Sequence, residues 1–330
     1  MFESSLKTKF SDPGRGVYFI GTTPPKRTVA MSEMQTIAAK LVKRLENIEY
    51  DGLVVYDIQD ETSRNPEPRP FPFCRTHDSR EYSALLRTTS GLPVITYKSA
   101  AEENRLEFDQ WLDKAWSPNG VRDLVLVGSP ATSQSSNFPL PAAYDALKQH
   151  PLDFHLGGVA IAERHANKAN EHLRLIEKTR QGCDYFITQA VYNPEATIQL
   201  CKDYAAECRR QNLQPKRLIL TFSPCGSEKT LDFMQWLGIS VPEATRNRIL
   251  GATNPLAESI RVCRNNLQQI IDACAELEIP LGLNIESLTN RKEEIDGTIR
   301  LFKLLKATLE LNLAEQHLQD FDAPPLANIA

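Results

Sequence analysis

The 330-residue sequence predicts a closed (β/α)8 barrel, the TIM-barrel architecture, as a single domain. Three observations carry this. Eight short apolar runs alternate in order with longer amphipathic stretches. Most of the runs are apolar on both faces, as a parallel sheet covered by helices requires. The competing open, doubly wound sheet has no G-x-G-x-x-G after the first run to support it. No composition shift marks a boundary, so the barrel is expected over 1–318, with a tail at 319–330.

The expected strands are VYFIGT (17–22), LVVYDI (53–58), PVITYKS (93–99), DLVLVGS (123–129), FHLGGVAIA (154–162), YFITQAVY (185–192), RLILTFS (217–223) and LGLNIES (281–287). Pro24 and Pro25 stop the first strand, because proline fixes φ and donates no N–H. Helical spacing of Met34, Ile37, Leu41, Val42 and Leu45 predicts a helix over Met31–Leu45. Further helices are expected at Lys168–Arg180, Ala196–Arg210 and Ala257–Leu277. The loop after the second strand, about 57–77, is long and holds Pro66, Pro68, Pro70 and Pro72. In a barrel it lies on the face where strands end and chemistry sits, so it suits a lid or a substrate contact as well as a surface excursion.

Composition excludes several classes. The net charge is −4, from 38 basic and 42 acidic residues, which gives no attraction to nucleic acid or anionic lipid. No window approaches 18 continuous apolar residues, and MFESSLKTKF lacks a signal-peptide core. The seven cysteines form no C-x-x-C pair and no group with histidine, so reduced thiols, a cytoplasmic location and no metal site are expected. A small-molecule or protein partner follows from the same charge argument.

Strand ends supply the candidate acids: Asp57 with Asp60 and Glu61 behind it, Glu163, and Glu286. A general acid needs reach to the protonated atom and a pKa near the working pH, and a barrel mouth raises carboxyl pKa values. Glu286 follows an otherwise apolar strand and is the first choice.

The segment ERHANKANEHLRLIEKTRQGCDYFITQAVYNPEA resembles the methylenetetrahydrofolate reductase family, flavoproteins built on this barrel. That family carries a His after strand five, a helix of the form L-x-x-K-x-x-A-G-A-D, and F-x-x-T-Q-x-x-F/Y-D. Here these are His165, LIEKTRQGCD with Lys178, and FITQAVYN with Gln189. YFIGTTPPKRT resembles F-E-F-F-P-P-[KR]-T, DLVLVGSP resembles L-x-L-R-G-D-x-P, and LNIESLTNRKE resembles F-Y-T-L-N-R. Two signature acids of the family are replaced, by Gly21 and by Ser129.

The resemblance implies hydride transfer from NAD(P)H through FAD to a folate one-carbon unit, in one-carbon metabolism and methionine biosynthesis. It implies Tyr97, Ser129, His165 and Lys178 as cofactor contacts. Gln189, Phe222 and Arg291 would contact the folate, and a homo-oligomer or a subunit of a complex is implied. Because both acids are gone, Glu286 is the expected replacement. A folate-dependent methyltransferase or demethylase without flavin, and a non-catalytic folate- or flavin-binding barrel, remain as alternatives.

Overall fold

A computed structural model describes residues 5–62, 65–101, 103–128 and 138–322. Its eight parallel strands close in sequence order: β1 (Tyr18–Thr22), β2 (Gly52–Val55), β3 (Val94–Ser99), β4 (Asp123–Val127), β5 (His155–Ala160), β6 (Tyr185–Ala190), β7 (Arg217–Phe222) and β8 (Leu281–Glu286). Seven of the predicted runs contain one of them, and β2 overlaps its run, 53–58, but starts one residue earlier and ends at Val55. β8 pairs with β1, which removes the sheet edges, and this register sets Gly21 beside Glu286.

The helices α1 (Ser5–Phe10), α2 (Met31–Leu45), α3 (Ser79–Ser90), α4 (Arg105–Trp116), α5 (Leu140–Gln149), α6 (Ala162–Lys168), α7 (Glu171–Arg180), α8 (Pro194–Arg210), α9 (Glu228–Trp236), α10 (Glu243–Leu250), α11 (Pro255–Cys274) and α12 (Lys292–Asp322) complete the chain. Side-chain caps start several of them: Asp78 on α3, Asn193 on α8, Ser227 on α9 and Asn254 on α11. The helix expected over Lys168–Arg180 begins later, because Ala169 adopts a left-handed φ of 49° and breaks α6 from α7. Residues 319–322, assigned to the tail, continue α12, and the rest of the tail lies outside the described residues.

Two apolar cores result from the period-two alternation of the strands. The inner one holds Phe19, Val54, Ile95, Val125, Tyr185, Ile187 and Ile219, stoppered at the N-terminal end by Leu6 and Phe10 of α1. Phe10 meets Tyr185 edge-on at 4.8 Å. Gly157 is obligatory in this layer, since a Cβ there would lie 2.3 Å from the Tyr185 ring. The outer core, between strands and helices, takes the alternate residues such as Leu53, Leu124, Phe186 and Leu220.

Arg217 closes the N-terminal end. It is 2% exposed, and its guanidinium donates to the carbonyls of Arg15 (2.8 Å), Leu281 (2.6 Å), Phe10 (3.4 Å) and Asp12. One buried side chain thus serves four carbonyls at the base of the barrel, that of Phe10 within the buried interior. Among the described residues no helix is long and apolar enough to cross a membrane.

Candidate functional site

The C-terminal mouth is built from the last inward-facing side chains of the strands. Glu286 ends β8, and its neighbour in register, Gly21, carries no side chain, so Glu286, Tyr56 and Asn284 close over it. A Cβ on Gly21 would sit 3.0 Å from Glu286 Cβ, 3.0 Å from Tyr56 Cε2 and 3.1 Å from Asn284 Oδ1. The Tyr56 hydroxyl donates to the Glu286 carboxylate. Asn284 Nδ2 donates in turn to Tyr56 Oη at 2.6 Å and to Thr221 Oγ1 at 3.1 Å. Tyr97 stands edge-on to Tyr56, with ring centroids 4.8 Å apart.

Burial among these rings pushes the Glu286 carboxyl up to about 7, with the Tyr56 hydrogen bond pulling the other way. Glu286 retains partial exposure to the mouth. It is therefore a carboxyl that changes charge near neutrality and can reach an incoming molecule, which is what a general acid requires. Tyr56, buried beside it, is held neutral by desolvation and the carboxylate charge.

Gln189 lies at the end of β6. Its Nε2 donates to Leu237 O at 3.5 Å, and its Oε1 is buried without a partner. Asn284 Oδ1 is likewise buried and unpaired, packed against Gly21. Unmet amide acceptors are costly unless something donates to them. Arg291 is exposed on the loop after β8, and among the described residues its guanidinium has no ion-pair partner.

The other candidate acids are structural in their contacts. Asp57 accepts from Ser99 N at 2.8 Å and ties β2 to β3. Burial raises its pKa and Lys98 opposes the shift. Asp60 caps a turn through Thr62 N at 3.0 Å. Glu163 accepts from Ser240 N at 3.2 Å, holding the segment after α9 to α6, and burial raises its pKa too.

Three expected contacts stand away from the mouth. Phe222 alternates with the inward-facing Thr221, so its ring enters the outer core and is fully buried against the helices. The His165 ring turns into the helix layer, where Nε2 meets Asp203 Oδ2 at 2.8 Å. Lys178 packs its stem on Gly158 and donates to Val159 O from outside the barrel. Burial lowers its pKa to about 8. Ser129 lies outside the described residues. The set expected to hold FAD therefore does not converge: of Tyr97, His165 and Lys178, only Tyr97 faces the mouth.

The long loop crosses this face. Residues near Thr76 pair with Lys26, and His77 N donates to Pro25 O at 2.9 Å. Farther out the loop docks on α9: Trp236 Nε1 donates to Glu67 O at 2.8 Å, and Asn65 Nδ2 to Trp236 O at 3.1 Å. Arg69 lies over the rings of Phe73, Phe233 and Trp236 at 5.5, 5.2 and 5.2 Å. A loop from β2 fastened to α9 spans the rim above β1 and β8, where Gly21 and Glu286 end. By contrast, a surface cleft of about 560 Å³ bordered by Asp51, Lys306 and Glu310 lies at the N-terminal end, with these charges already paired.

Of the residues expected from the sequence, Glu286, Gln189 and Tyr97 face the mouth. Tyr56 and Asn284 join them there, and the alternation of the strands points both inward.

No protein-family model and no curated protein matches the chain. Among solved structures, apo-MsnO8 aligns at a TM-score of 0.53 and 14% identity, covering 90% of this chain and 99% of that one, a likeness of fold alone. An uncharacterized protein from Clostridium thermocellum, which binds two copies of 5-methyl-5,6,7,8-tetrahydrofolic acid, aligns at a TM-score of 0.78 and 36% identity. The alignment covers 92% of this chain and 99% of that one, and on that likeness this chain belongs to the same family of (β/α)8 barrels.

Proposed function

We propose that the mouth binds a reduced folate carrying a one-carbon group on N5, and that Glu286 acts on it as the general acid. The observation that carries this is Glu286, poised near neutrality and packed with Tyr56 and Asn284 against a Gly21 that carries no side chain of its own. The folate-binding relative supports the ligand class. The pterin ring has an N–H edge, and Gln189 offers an unpaired amide oxygen to it.

The chemistry follows from the side chains. Protonated Glu286 gives its proton to N5, which weakens the bond from N5 to the one-carbon group. The carboxylate that remains is stabilised by the Tyr56 hydroxyl, and charge-assisted hydrogen bonds of this kind are the stronger ones. Asn284 fixes Tyr56 in that orientation. The one-carbon group passes to a nucleophile supplied by a second substrate, so the activity is a folate-dependent one-carbon transfer. The loop fastened to α9 shields the site from water.

A second reading is the methylenetetrahydrofolate reductase reaction itself, with FAD and NAD(P)H. The T-Q segment ending in Gln189 and the mouth-facing Tyr97 favour it, while the placement of His165 and Lys178 does not.

Titration calorimetry with 5-methyltetrahydrofolate is the test. Binding by the wild type, weakened tenfold or more in Gln189→Ala, is expected. No binding, or equal binding by the variant, would overturn the proposal. A flavin absorption spectrum in the purified protein would move the assignment to the second reading.

A further inference from the structure

We propose a divalent transition-metal site in the helix layer, held by His165, His172 and Asp203. One ring nitrogen of each histidine and a carboxylate oxygen of Asp203 all lie within 4.8 Å of one another. The three residues come from α6, α7 and α8, so nothing in local sequence forces them together.

The local fold explains the approach. The left-handed turn at Ala169 folds α7 back against α6. The last turn of α6 then meets the first turn of α7, and the rings of His165 and His172 stand perpendicular with centroids 5.2 Å apart. α8 packs across both helices and brings in Asp203, whose Oδ2 is 2.8 Å from His165 Nε2. Two adjacent ligands of a tetrahedral ion with bonds of about 2.1 Å stand about 3.4 Å apart, so the pair has only to part by about half an ångström to admit one.

The protein partners of these groups are incomplete. His165 is 3% exposed, yet its Nδ1 is buried with no hydrogen bond, and His172 Nδ1 is in the same condition. A simple His–carboxylate pair accounts for His165 and Asp203 but leaves His172 with nothing to do. An ion that takes a lone pair from His165 Nε2, the nitrogen facing Asp203, from His172 and from the carboxylate gives all three residues one role, with His165 Nδ1 left on the far side of its ring. Gln199 Nε2 holds the other Asp203 oxygen at 3.0 Å and orients it, as the outer partners of metal ligands commonly do.

Two imidazoles and one carboxylate suit zinc, iron(II), cobalt(II) or nickel(II) better than calcium or magnesium, whose sites are built from oxygens. Asp203 has a side chain 38% exposed, so a water can enter as a fourth ligand. The site lies outside the mouth and ties three helices together, so its effect is on stability and on the placement of α6 after β5.

The experiment is a titration of zinc(II) into untagged, chelator-stripped protein, read by calorimetry, with a thermal melt at each end point. One ion per chain and a rise in Tm are expected. His172→Gln and Asp203→Asn, conservative changes at half-buried positions, should each weaken zinc binding at least tenfold and remove the rise in Tm, while circular dichroism stays that of the barrel. Absence of stoichiometric binding by the wild type overturns the proposal, as does binding of equal strength in both variants. 5-Methyltetrahydrofolate affinity is not part of this readout, so the metal site stands or falls separately from the folate site.

Discussion

Gly21 and Glu286 are register partners on adjoining strands, and the carboxylate of one occupies the side of the mouth that the other leaves bare. The distance of 3.0 Å from a Cβ at Gly21 to Glu286 Cβ makes the two positions alternatives for bulk. A side chain on β1 and a glutamate in this rotamer on β8 would compete for one space. Under the proposed function, the acid that the resemblance places on β1 has its counterpart one strand over, on β8.

Gly21→Ala tests that competition. The added methyl meets Glu286, Tyr56 and Asn284 at 3.0–3.1 Å, tighter than ordinary contact. Overpacking of this kind costs about 1–3 kcal/mol. Denaturant unfolding should show that loss, and folate affinity should fall with it because the wall moves into the mouth.

Glu286→Gln gives a stability prediction with a definite sign. The folded carboxyl sits near 7 against an ordinary value of 4.5. Between those values the folded protein binds more protons than the unfolded chain, so this group lowers stability as pH rises, with the full penalty above pH 7. The variant should equal the wild type at pH 4 and exceed it at pH 8 by about 1–3 kcal/mol, the range reflecting partial exposure. Urea melts at the two pH values measure it.

Arg217→Ala should act on the base and leave the mouth alone. It removes the donor from four carbonyls, the buried one of Phe10 among them, and opens a cavity beneath α1. A loss of about 3 kcal/mol or more in unfolding free energy is expected. Folate binding by the remaining folded protein should be unchanged.

Arg69→Ala should loosen the long loop without unfolding the barrel. It removes a guanidinium from three aromatic faces on the loop and α9. At about 0.5–1 kcal/mol for each such exposed contact, docking weakens several-fold or more. Limited proteolysis within 57–77 should speed up, with Tm nearly constant.

The fold was legible because its signal is repeated. Eight buried parallel strands each produce an apolar run, and each run falls where a strand occurs. Which expected residues face the mouth is legible in part. A strand end alone does not turn Phe222 into the mouth, because orientation is set by alternation and Thr221 holds the inward position. Tyr56 and Asn284 could be found by the same count. His165 and Lys178 sit in helices, where direction depends on packing against α8 and on the turn at Ala169 rather than on spacing. The approach of His165, His172 and Asp203 is likewise a product of helix packing, invisible to a search for metal-ligand spacing along the chain.

The most direct measurement is the affinity for 5-methyltetrahydrofolate as a function of pH, in the wild type and in Glu286→Gln. If protonated Glu286 donates to N5, wild-type affinity falls as pH rises through about 7, where the carboxyl loses its proton. The amide of the variant keeps donor hydrogens at every pH, so its affinity should stay flat there. A wild-type affinity that does not change across this range, or a break near 7 that survives in Glu286→Gln, would contradict the assignment of Glu286 as the acid of the site.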